Sequence, residues 1–428
     1  MIARLPLRSR SNHSFETSPF ISAIDESIVM PESTIAGQTI VSGPSVPLAA
    51  GRIAVPQLTF EQAQQLTDEH GSPLLIVSKP KLVETYWSMK EALPGVDLYY
   101  AAKANPDHHI LSTLCAENGF VDVCSPVEMH AALAAGFTPD RMLHTHPCKT
   151  DANLLECYDA GLRWFVYDNP MEAAKIARLT PDVNLLLRLA TTGSSSRINL
   201  SAKFGCATDE ALEMLAVARS MGLNVRGFSF HVGSQCLNPE DYCEVLRHIR
   251  TVWDDATAAG YSLEVLDIGG GFPAPYREEV PSAESFCGVI AAGLRETFGD
   301  LNIRLIAEPG RGICTECVTL ATTVIGKSTR WGTPWIFIDD GIYGSFSGKM
   351  FDHTDFPLFV QNENWREAVA CVVAGPTCDS SDIVSRDQLL PDLELGELIL
   401  VPSMGAYAGA SASPFNGLPV AKSVCLNV

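Results

Sequence analysis

Between residues 80 and 310, short apolar runs alternate with longer amphipathic runs, and this pattern constrains the fold most strongly. The short runs have strand composition, whereas the longer ones repeat apolar residues every three or four positions, as helices do. The eight strand-like runs are 98–103, 120–124, 142–146, 164–167, 185–190, 227–232, 263–268 and 303–308. This alternation predicts an α/β fold, either a closed (β/α)8 TIM barrel or an open doubly wound sheet.

The positions of the polar residues favour the barrel. In six of the eight runs a candidate site residue lies at or near the carboxyl end, where barrel enzymes build their sites. These residues are Lys103, Asp122, Arg188, His231, Asp267 and Glu308.

The chain changes character after residue 310. The runs 318–328, 335–346, 368–374 and 397–401 are rich in β-formers and are separated by turn residues, which predicts a mostly antiparallel β domain. We therefore expect a barrel over 80–310, a β domain over 311–428, and one or more strands from 51–79 that join the β domain.

The first fifty residues differ from the rest. Residues 1–15 contain three arginines and no acid, but acids follow from Glu16 onward, and Ser, Thr, Pro and Gly are frequent. This composition favours a disordered or partly ordered arm over a targeting peptide.

Lys103 closes a buried strand pattern and precedes Ala-Asn-Pro. Burial lowers the pKa of a lysine, and a neutral lysine is a nucleophile that condenses with aldehydes. The alternative is a structural lysine that extends its ammonium group to water.

Gly269, Gly270 and Gly271 follow a predicted strand. Such a turn lets backbone N–H groups surround an anion such as phosphate, although it could also be only a tight connection. The segment is not GxGxxG and lacks the acidic residue of dinucleotide-binding folds, so a nicotinamide cofactor is not expected.

Two other strand ends carry candidate residues. Glu308 and Arg311 offer a carboxylate and a phosphate contact, or a buried ion pair. His231 could stack on an aromatic cofactor while Ser234 binds its phosphate, although a lone histidine is more often part of the core.

Candidate residues also occur in the predicted β domain. The sequence Gly-Pro-Thr-Cys-Asp presents Cys378 and Asp379 in a loop, and a later segment supplies the phenol of Tyr407. A solvated acidic loop is the alternative for the first segment.

Composition excludes several functions. Thirty basic and 50 acidic residues give a formal charge of −20, which disfavours nucleic acid and favours a cationic substrate. Thirteen cysteines predict reduced thiols in the cytoplasm, and the single CxxC lacks the further ligands of a zinc site, so no metal is predicted. No apolar run is long enough to span a membrane.

Together, the lysine, the glycine triplet, the glutamate, the histidine and the Cys-Asp loop resemble the fold-type III PLP-dependent decarboxylases. This group includes the ornithine, lysine and diaminopimelate decarboxylases, and the resemblance covers residues 70–428. It implies an alanine-racemase-like TIM barrel with a C-terminal β domain and pyridoxal 5′-phosphate as cofactor.

The resemblance also implies residue roles. Lys103 would bind the cofactor covalently, His231 would stack on its ring, and Glu308 would pair with its ring nitrogen. Cys378 would return a proton to the substrate carbon, and Asp379 would bind the distal amine of the substrate. The remaining cofactor-binding residues implied are Asp122, Arg188, Ser234, Gly269, Gly270, Gly271, Arg311 and Tyr407, with Glu128 nearby. Family members donate the Cys-Asp loop to the neighbouring subunit, so a homodimer is implied.

Two positions resemble the ornithine branch. Asp379 stands where diaminopimelate enzymes have glutamate, and Asp340 occupies the position that faces the substrate amine. The implied activity is decarboxylation of ornithine or a lysine-like amino acid to a diamine and CO2. The alternatives are a diaminopimelate, carboxylated-polyamine or specialised-metabolite decarboxylase, and an inactive regulatory homologue. A racemase is disfavoured because the resemblance implies a glutamate, Glu308, at the ring nitrogen, where related racemases have an arginine.

Overall fold

The structure is a computed structural model that describes residues 51–191, 195–198, 200–361 and 366–426. The predicted arm at residues 1–50 lies outside the described residues. The strands are β1 (Leu74–Val77), β2 (Val96–Ala101), β3 (Phe120–Val123), β4 (Met142–His144), β5 (Trp164–Tyr167), β6 (Asn184–Arg188), β7 (Ser196–Ile198), β8 (Asn224–Ser229), β9 (Ser234–Cys236), β10 (Val265–Asp267), β11 (Arg304–Ala307), β12 (Val318–Arg330), β13 (Thr333–Ile338), β14 (Phe359–Val360), β15 (Ala368–Ala374), β16 (Ile383–Pro391), β17 (Leu398–Val401) and β18 (Lys422–Cys425).

The helices alternate with the strands through the first two thirds of the described chain. They are α1 (Phe60–His70), α2 (Lys79–Ala92), α3 (His108–Ala116), α4 (Pro126–Ala134), α5 (Asp151–Asp159), α6 (Pro170–Leu179), α7 (Ala211–Ser220), α8 (Glu240–Ala258), α9 (Ala283–Phe298), α10 (Arg311–Cys314) and α11 (Gly348–Phe351).

Eight parallel strands of the described chain close a barrel in the order β10-β11-β2-β3-β4-β5-β6-β8. The barrel strand that comes last in the chain, β11, pairs with the one that comes first, β2, through Leu305 and Val96. Strand β8 pairs with β10. The predicted TIM barrel is confirmed and the open-sheet alternative is wrong. Closure removes the exposed strand edges that an open sheet would leave.

Alternation along the strands separates two apolar layers. Tyr99 of β2 belongs to a cluster that contains residues of six other barrel strands, whereas its neighbours Leu98 and Tyr100 belong to the main core. Because successive strand residues point to opposite faces, one layer fills the barrel and the other lies under the helices.

A second sheet contains strands from both ends of the described chain. Its order is β14-β17-β12-β13-β15-β16, and β1 pairs with β12 and β18. The pairs β13–β15 and β1–β18 are parallel and the others are antiparallel, so the predicted mostly antiparallel architecture is confirmed. The division of the chain at residues 79 and 310 stays a proposal.

One predicted strand of this sheet is too long, and some of its strands were not predicted. The run 335–346 does not continue as a strand beyond Ile338, because Asp340 accepts hydrogen bonds from the backbone N–H groups of Gly341 and Ser345 and turns the chain. Strand β16 was not predicted, since Arg386, Asp387 and Gln388 interrupt its apolar pattern.

No helix within the described ranges is both long enough and apolar enough to cross a membrane.

Candidate active site

Lys103 lies in a short 3₁₀ turn immediately after β2, at the carboxyl end of the barrel. Its Nζ donates to Asp122 Oδ2 at 3.1 Å and lies 3.9 Å from Cys124 Sγ. Asp122 is fully buried on β3 and also accepts from Thr145 Oγ1 at 2.6 Å, whereas 36% of the Lys103 side chain is exposed. Lys103 is thus held by a rigid carboxylate and still accessible from the barrel mouth.

The charge state of Lys103 differs from the sequence-based expectation. Burial lowers its pKa, but Asp122, followed by Cys124, Glu308 and Tyr407, raises it, and the pKa stands well above its usual value. The predicted lowering is wrong because the fold that buries the lysine also surrounds it with acidic groups. Asp122 therefore holds the proton-bearing form of Lys103 in place.

Glu308 and Asp267 form a buried carboxyl pair at the ends of β11 and β10. Burial and then the Asp267 charge hold the pKa of Glu308 well above its ordinary value, and burial raises the pKa of Asp267 to about 6. Asp267 Oδ1 accepts from Gly269 N at 2.9 Å, while Oδ2 is buried without a donor among the described residues. Two such carboxyl groups cannot both ionise unless a cation or a donor joins them.

His231 follows β8 and carries a neutral imidazole. Burial, and then the nearby charges of Arg188 and Lys103, hold the pKa of His231 well below its ordinary value. Its Nδ1 accepts from Gly233 N at 3.0 Å, which places the ring proton on Nε2. A flat, uncharged ring fixed in this way can stack on an aromatic ligand.

The glycine triplet lies against His231 and Glu308. A Cβ added to Gly270 would lie 2.6 Å from the Glu308 carbonyl oxygen and 3.0 Å from His231 Nε2, and one added to Gly269 would lie 2.1 Å from the Phe230 carbonyl oxygen. Side chains are therefore excluded here, and the backbone itself forms the surface.

Arg311 contacts several of the groups that could bind a phosphate. Its Nη2 donates to Ser234 Oγ at 3.3 Å and to Asp352 Oδ2 at 2.5 Å, and its Nη1 donates to Tyr276 at 2.6 Å. The guanidinium lies 4.9 Å from the ring centroid of Tyr407, and Arg311 Nε is buried without a partner among the described residues. The cluster therefore contains a buried cation whose Nε–H group could donate to an anion.

Arg188 and Glu128 border the site. Arg188 ends β6, and its guanidinium carbon lies 5.7 Å from the Phe204 ring centroid. Glu128, in the first turn of α4, accepts from Cys124 N at 2.7 Å and thereby fixes the chain after β3.

Asp340 lies in the turn after β13 and is almost fully buried. Its Oδ1 accepts from Gly341 N at 2.7 Å and Ser345 N at 2.9 Å, and its Oδ2 has no partner among the described residues. Burial raises the pKa of Asp340 to about 6, although hydrogen bonding to Ser345 and Gly341 lowers it. A cation that reached Oδ2 would restore the ionised form.

This burial predicts a pH-dependent stability. The stability that Asp340 contributes is fully present below its ordinary pKa of 3.8 and is lost as the pH rises through about 6. Between those values the free energy of unfolding of wild type, relative to Asp340→Asn, should fall by up to about 3 kcal/mol. Urea unfolding at a series of pH values measures this difference, and a constant difference between pH 4 and 7 would contradict it.

The Cys378–Asp379 loop lies at the surface of the β domain. Cys378 is exposed, and its backbone N–H donates to Asn416 Oδ1 at 3.0 Å. Tyr343 donates to Asp379 and stacks on Phe415 with 4.2 Å between ring centroids. Within the described parts of the chain, no hydrogen bond or ion pair joins this loop to Lys103.

The structure brings Lys103, Asp122, Glu308, His231, Gly269–Gly271, Arg311, Ser234 and Tyr407 to one end of the barrel. Sequence reasoning missed Thr145, Cys124, Tyr276 and Asp352, which support Asp122, Lys103 and Arg311. For Thr145 and Cys124 a signal existed, because both directly follow barrel strands.

These residues fit PLP. The accessible lysine suits its aldehyde, the carboxyl pair with the orphaned Asp267 Oδ2 suits a protonated ring nitrogen, and the orphaned Arg311 Nε suits its phosphate. The side-chain-free surface of Gly269–Gly271 lets a planar group or phosphate approach the backbone. The fold and site thus define a PLP-dependent enzyme of the barrel type.

Comparisons with known proteins specify the class further. The family model for the pyridoxal binding domain of pyridoxal-dependent decarboxylases matches residues 79–315. The lysine/ornithine decarboxylase of Selenomonas ruminantium is 36% identical over 374 residues, which cover 86% of this chain and 93% of the relative.

Solved structures agree. The lysine/ornithine decarboxylase from Vibrio vulnificus, complexed with cadaverine, is 37% identical with a TM-score of 0.81, covering 86% of this chain and 98% of that one. The arginine decarboxylase of Paramecium bursaria Chlorella virus is 28% identical with a TM-score of 0.81, covering 86% and 100%. The chain belongs to the family of pyridoxal-dependent decarboxylases, close to ornithine decarboxylase. It is a PLP-dependent decarboxylase of a basic amino acid, which confirms the predicted family, cofactor and activity.

Proposed function

We propose that the protein decarboxylates lysine and ornithine, releasing CO2 and a diamine. The observation that carries the proposal is Asp340, whose buried Oδ2 lacks a partner among the described residues and can accept a charge-assisted hydrogen bond from an ammonium group. The formal charge of −20 favours the approach of a cationic substrate.

The chain's residues divide the work of this reaction. PLP, when bound, supplies an electron sink for the bonding pair that remains when CO2 leaves. Lys103 would hold the cofactor covalently, Glu308 would supply a negative charge for its ring nitrogen, and His231 would stack on its ring. Ser234, Arg311, Tyr407 and the Gly269–Gly271 backbone would hold its phosphate.

Asp122 and Arg188 complete the cofactor site. Asp122 pairs with Lys103 at 3.1 Å and keeps its amine aimed at the barrel mouth. Arg188 adds positive charge beside His231, which favours the neutral imidazole.

The exposed Cys378–Asp379 loop completes the site of a second subunit. Cys378 returns a proton to the carbon that loses CO2, and Asp379 binds the distal ammonium together with Asp340. The exposure of Cys378 and the lack of a described bond from its loop to Lys103 support a homodimer with shared sites. A cytoplasmic location stays a prediction from the cysteine content.

The relatives include lysine/ornithine and arginine decarboxylases, so the length of the substrate is the point to test. We expect lysine and ornithine to yield CO2 with cadaverine and putrescine, and arginine and meso-diaminopimelate to react poorly. Asp379→Asn should lower kcat/KM for lysine by about 10- to 100-fold, because a hydrogen bond to a charged group contributes about 1.5–3 kcal/mol. Mass spectrometry of the released amines and a CO2 assay provide the measurement.

Ser385→Ala, at a half-buried position of β16, serves as a control and should leave kcat/KM unchanged. Preferred release of agmatine from arginine would instead assign the arginine branch. Diamine formation that Asp379→Asn leaves unaltered would remove Asp379 from the amine site.

A further inference from the structure

Asp382 is a buried carboxylate that lies outside the roles assigned above. It precedes β16, is only 2% exposed, and accepts hydrogen bonds through both oxygens. Oδ1 accepts from Ile342 N at 2.9 Å, and Oδ2 accepts from Thr377 N at 3.0 Å and Thr377 Oγ1 at 2.7 Å. Because both of its oxygens accept hydrogen bonds from the protein, the Asp382 carboxylate has a structural role and does not bind a ligand.

The two segments bound by Asp382 are those that carry the candidate amine-binding acids. Ile342 belongs to the turn that begins with Asp340, whereas Thr377 directly precedes Cys378 and Asp379. Asp382 backbone groups reinforce the second segment, since its carbonyl accepts from Gly375 N at 2.9 Å and its N–H donates to the Asp379 carbonyl at 3.1 Å.

Both segments are built around this carboxylate. A Cβ added to Gly341 would lie 2.2 Å from Asp382 Oδ1, and one added to Gly375 would lie 2.3 Å from the same oxygen. Neither backbone could approach Asp382 as closely with a side chain at these glycines. The contact is thus a close three-way junction.

We propose that Asp382 is a positioning residue that fixes the Asp340 turn and the Cys378–Asp379 loop relative to each other. The inference rests on the proposed function, in which Asp340 and Asp379 bind the distal ammonium. In the proposed dimer, Asp340 serves its own subunit's site and the loop serves the partner's. Asp382 then links the amine-binding elements of the two sites through one carboxylate.

Asp382→Asn tests the inference, because an amide keeps the size but replaces one accepting oxygen with a donor. We expect kcat/KM of the holoenzyme for lysine to fall by about 10²-fold, as a displacement near 1 Å does. KM should rise because Asp340 and Asp379 are displaced, and kcat should fall because Cys378 is displaced. The absorbance of bound PLP should stay unchanged. Asp387→Asn, the same change at an exposed position of β16, is the matched control and should retain wild-type kinetics.

Thr377 supplies a graded comparison. Thr377→Ser keeps the hydroxyl donor and should retain activity, whereas Thr377→Val removes one hydrogen bond and should lie between wild type and Asp382→Asn. Equal losses in Asp382→Asn and Asp387→Asn, or loss of PLP in Asp382→Asn, would overturn the positioning role.

Hydrogen exchange separates this inference from the proposed function. In Asp382→Asn, amides in residues 340–346 and 375–380 should exchange at least about tenfold faster than in wild type, while barrel peptides stay protected. Acceleration in one segment only, or in neither, would overturn the junction. If wild type released no diamine but both segments loosened, the proposed function would fail and the junction would stand.

Discussion

Lys103→Ala should abolish decarboxylation and covalent cofactor binding together. Lys103 is the only lysine bound to the buried Asp122 within the described chain, and its side chain is accessible at the barrel mouth. Loss of a covalent attachment point removes a complete step, so kcat should fall by about 10³-fold or more. Absorbance of bound PLP, and mass spectrometry after borohydride reduction, measure the attachment.

Lys79→Ala provides the matched control, since Lys79 is exposed at the start of α2. This variant should keep both the cofactor and the activity. A borohydride-stable PLP adduct on another lysine of Lys103→Ala would contradict the assignment.

The second large effect is a recovery of activity. Lys103→Ala and Cys378→Ala should each form little diamine as homodimers, but their mixture should recover about a quarter of wild-type activity. With free exchange, half of the dimers are mixed, and each mixed dimer has one intact site of two. The measurement is diamine formation after the subunits have been mixed and allowed to exchange.

A mixture of Lys103→Ala with Glu308→Gln is the control. Both residues lie at the same end of one barrel, so a mixed dimer contains no intact site and should stay inactive. No recovery in the Lys103–Cys378 mixture, with exchange demonstrated, would place the whole site within one chain. Recovery in this control would instead mean that Lys103 and Glu308 reach the site from different chains.

The barrel could be predicted from the sequence because local patterning determines it. Most barrel strands are short apolar runs with a polar residue at or near the carboxyl end, and this pattern can be recognised without knowledge of any partner strand. Strand β16 escaped prediction for the opposite reason: Arg386, Asp387 and Gln388 are tolerated there because the sheet, rather than local pattern, places them.

The candidate site was predictable where a residue lies at or near the carboxyl end of a strand. Lys103, Asp122, His231 and Glu308 follow this rule, and the parallel barrel brings them together. Asp352 gave no such signal, because its contact with Arg311 joins residues 41 positions apart in the chain. The role of Asp382 likewise depends on the tertiary structure, in which Ile342 and Thr377 donate hydrogen bonds to its two oxygens.

The sequence by itself predicted the barrel, since this depends on residue type and order along single strands, and its resemblance to a known family implied the cofactor and the role of Lys103. Only the tertiary structure decided the electrostatics. The fold that buries Lys103 also places Asp122, Cys124 and Glu308 near it. Burial lowers the pKa of the lysine, but these groups raise it to well above its ordinary value. Charge interactions depend on distances between residues remote in sequence, and those distances exist only in the folded chain.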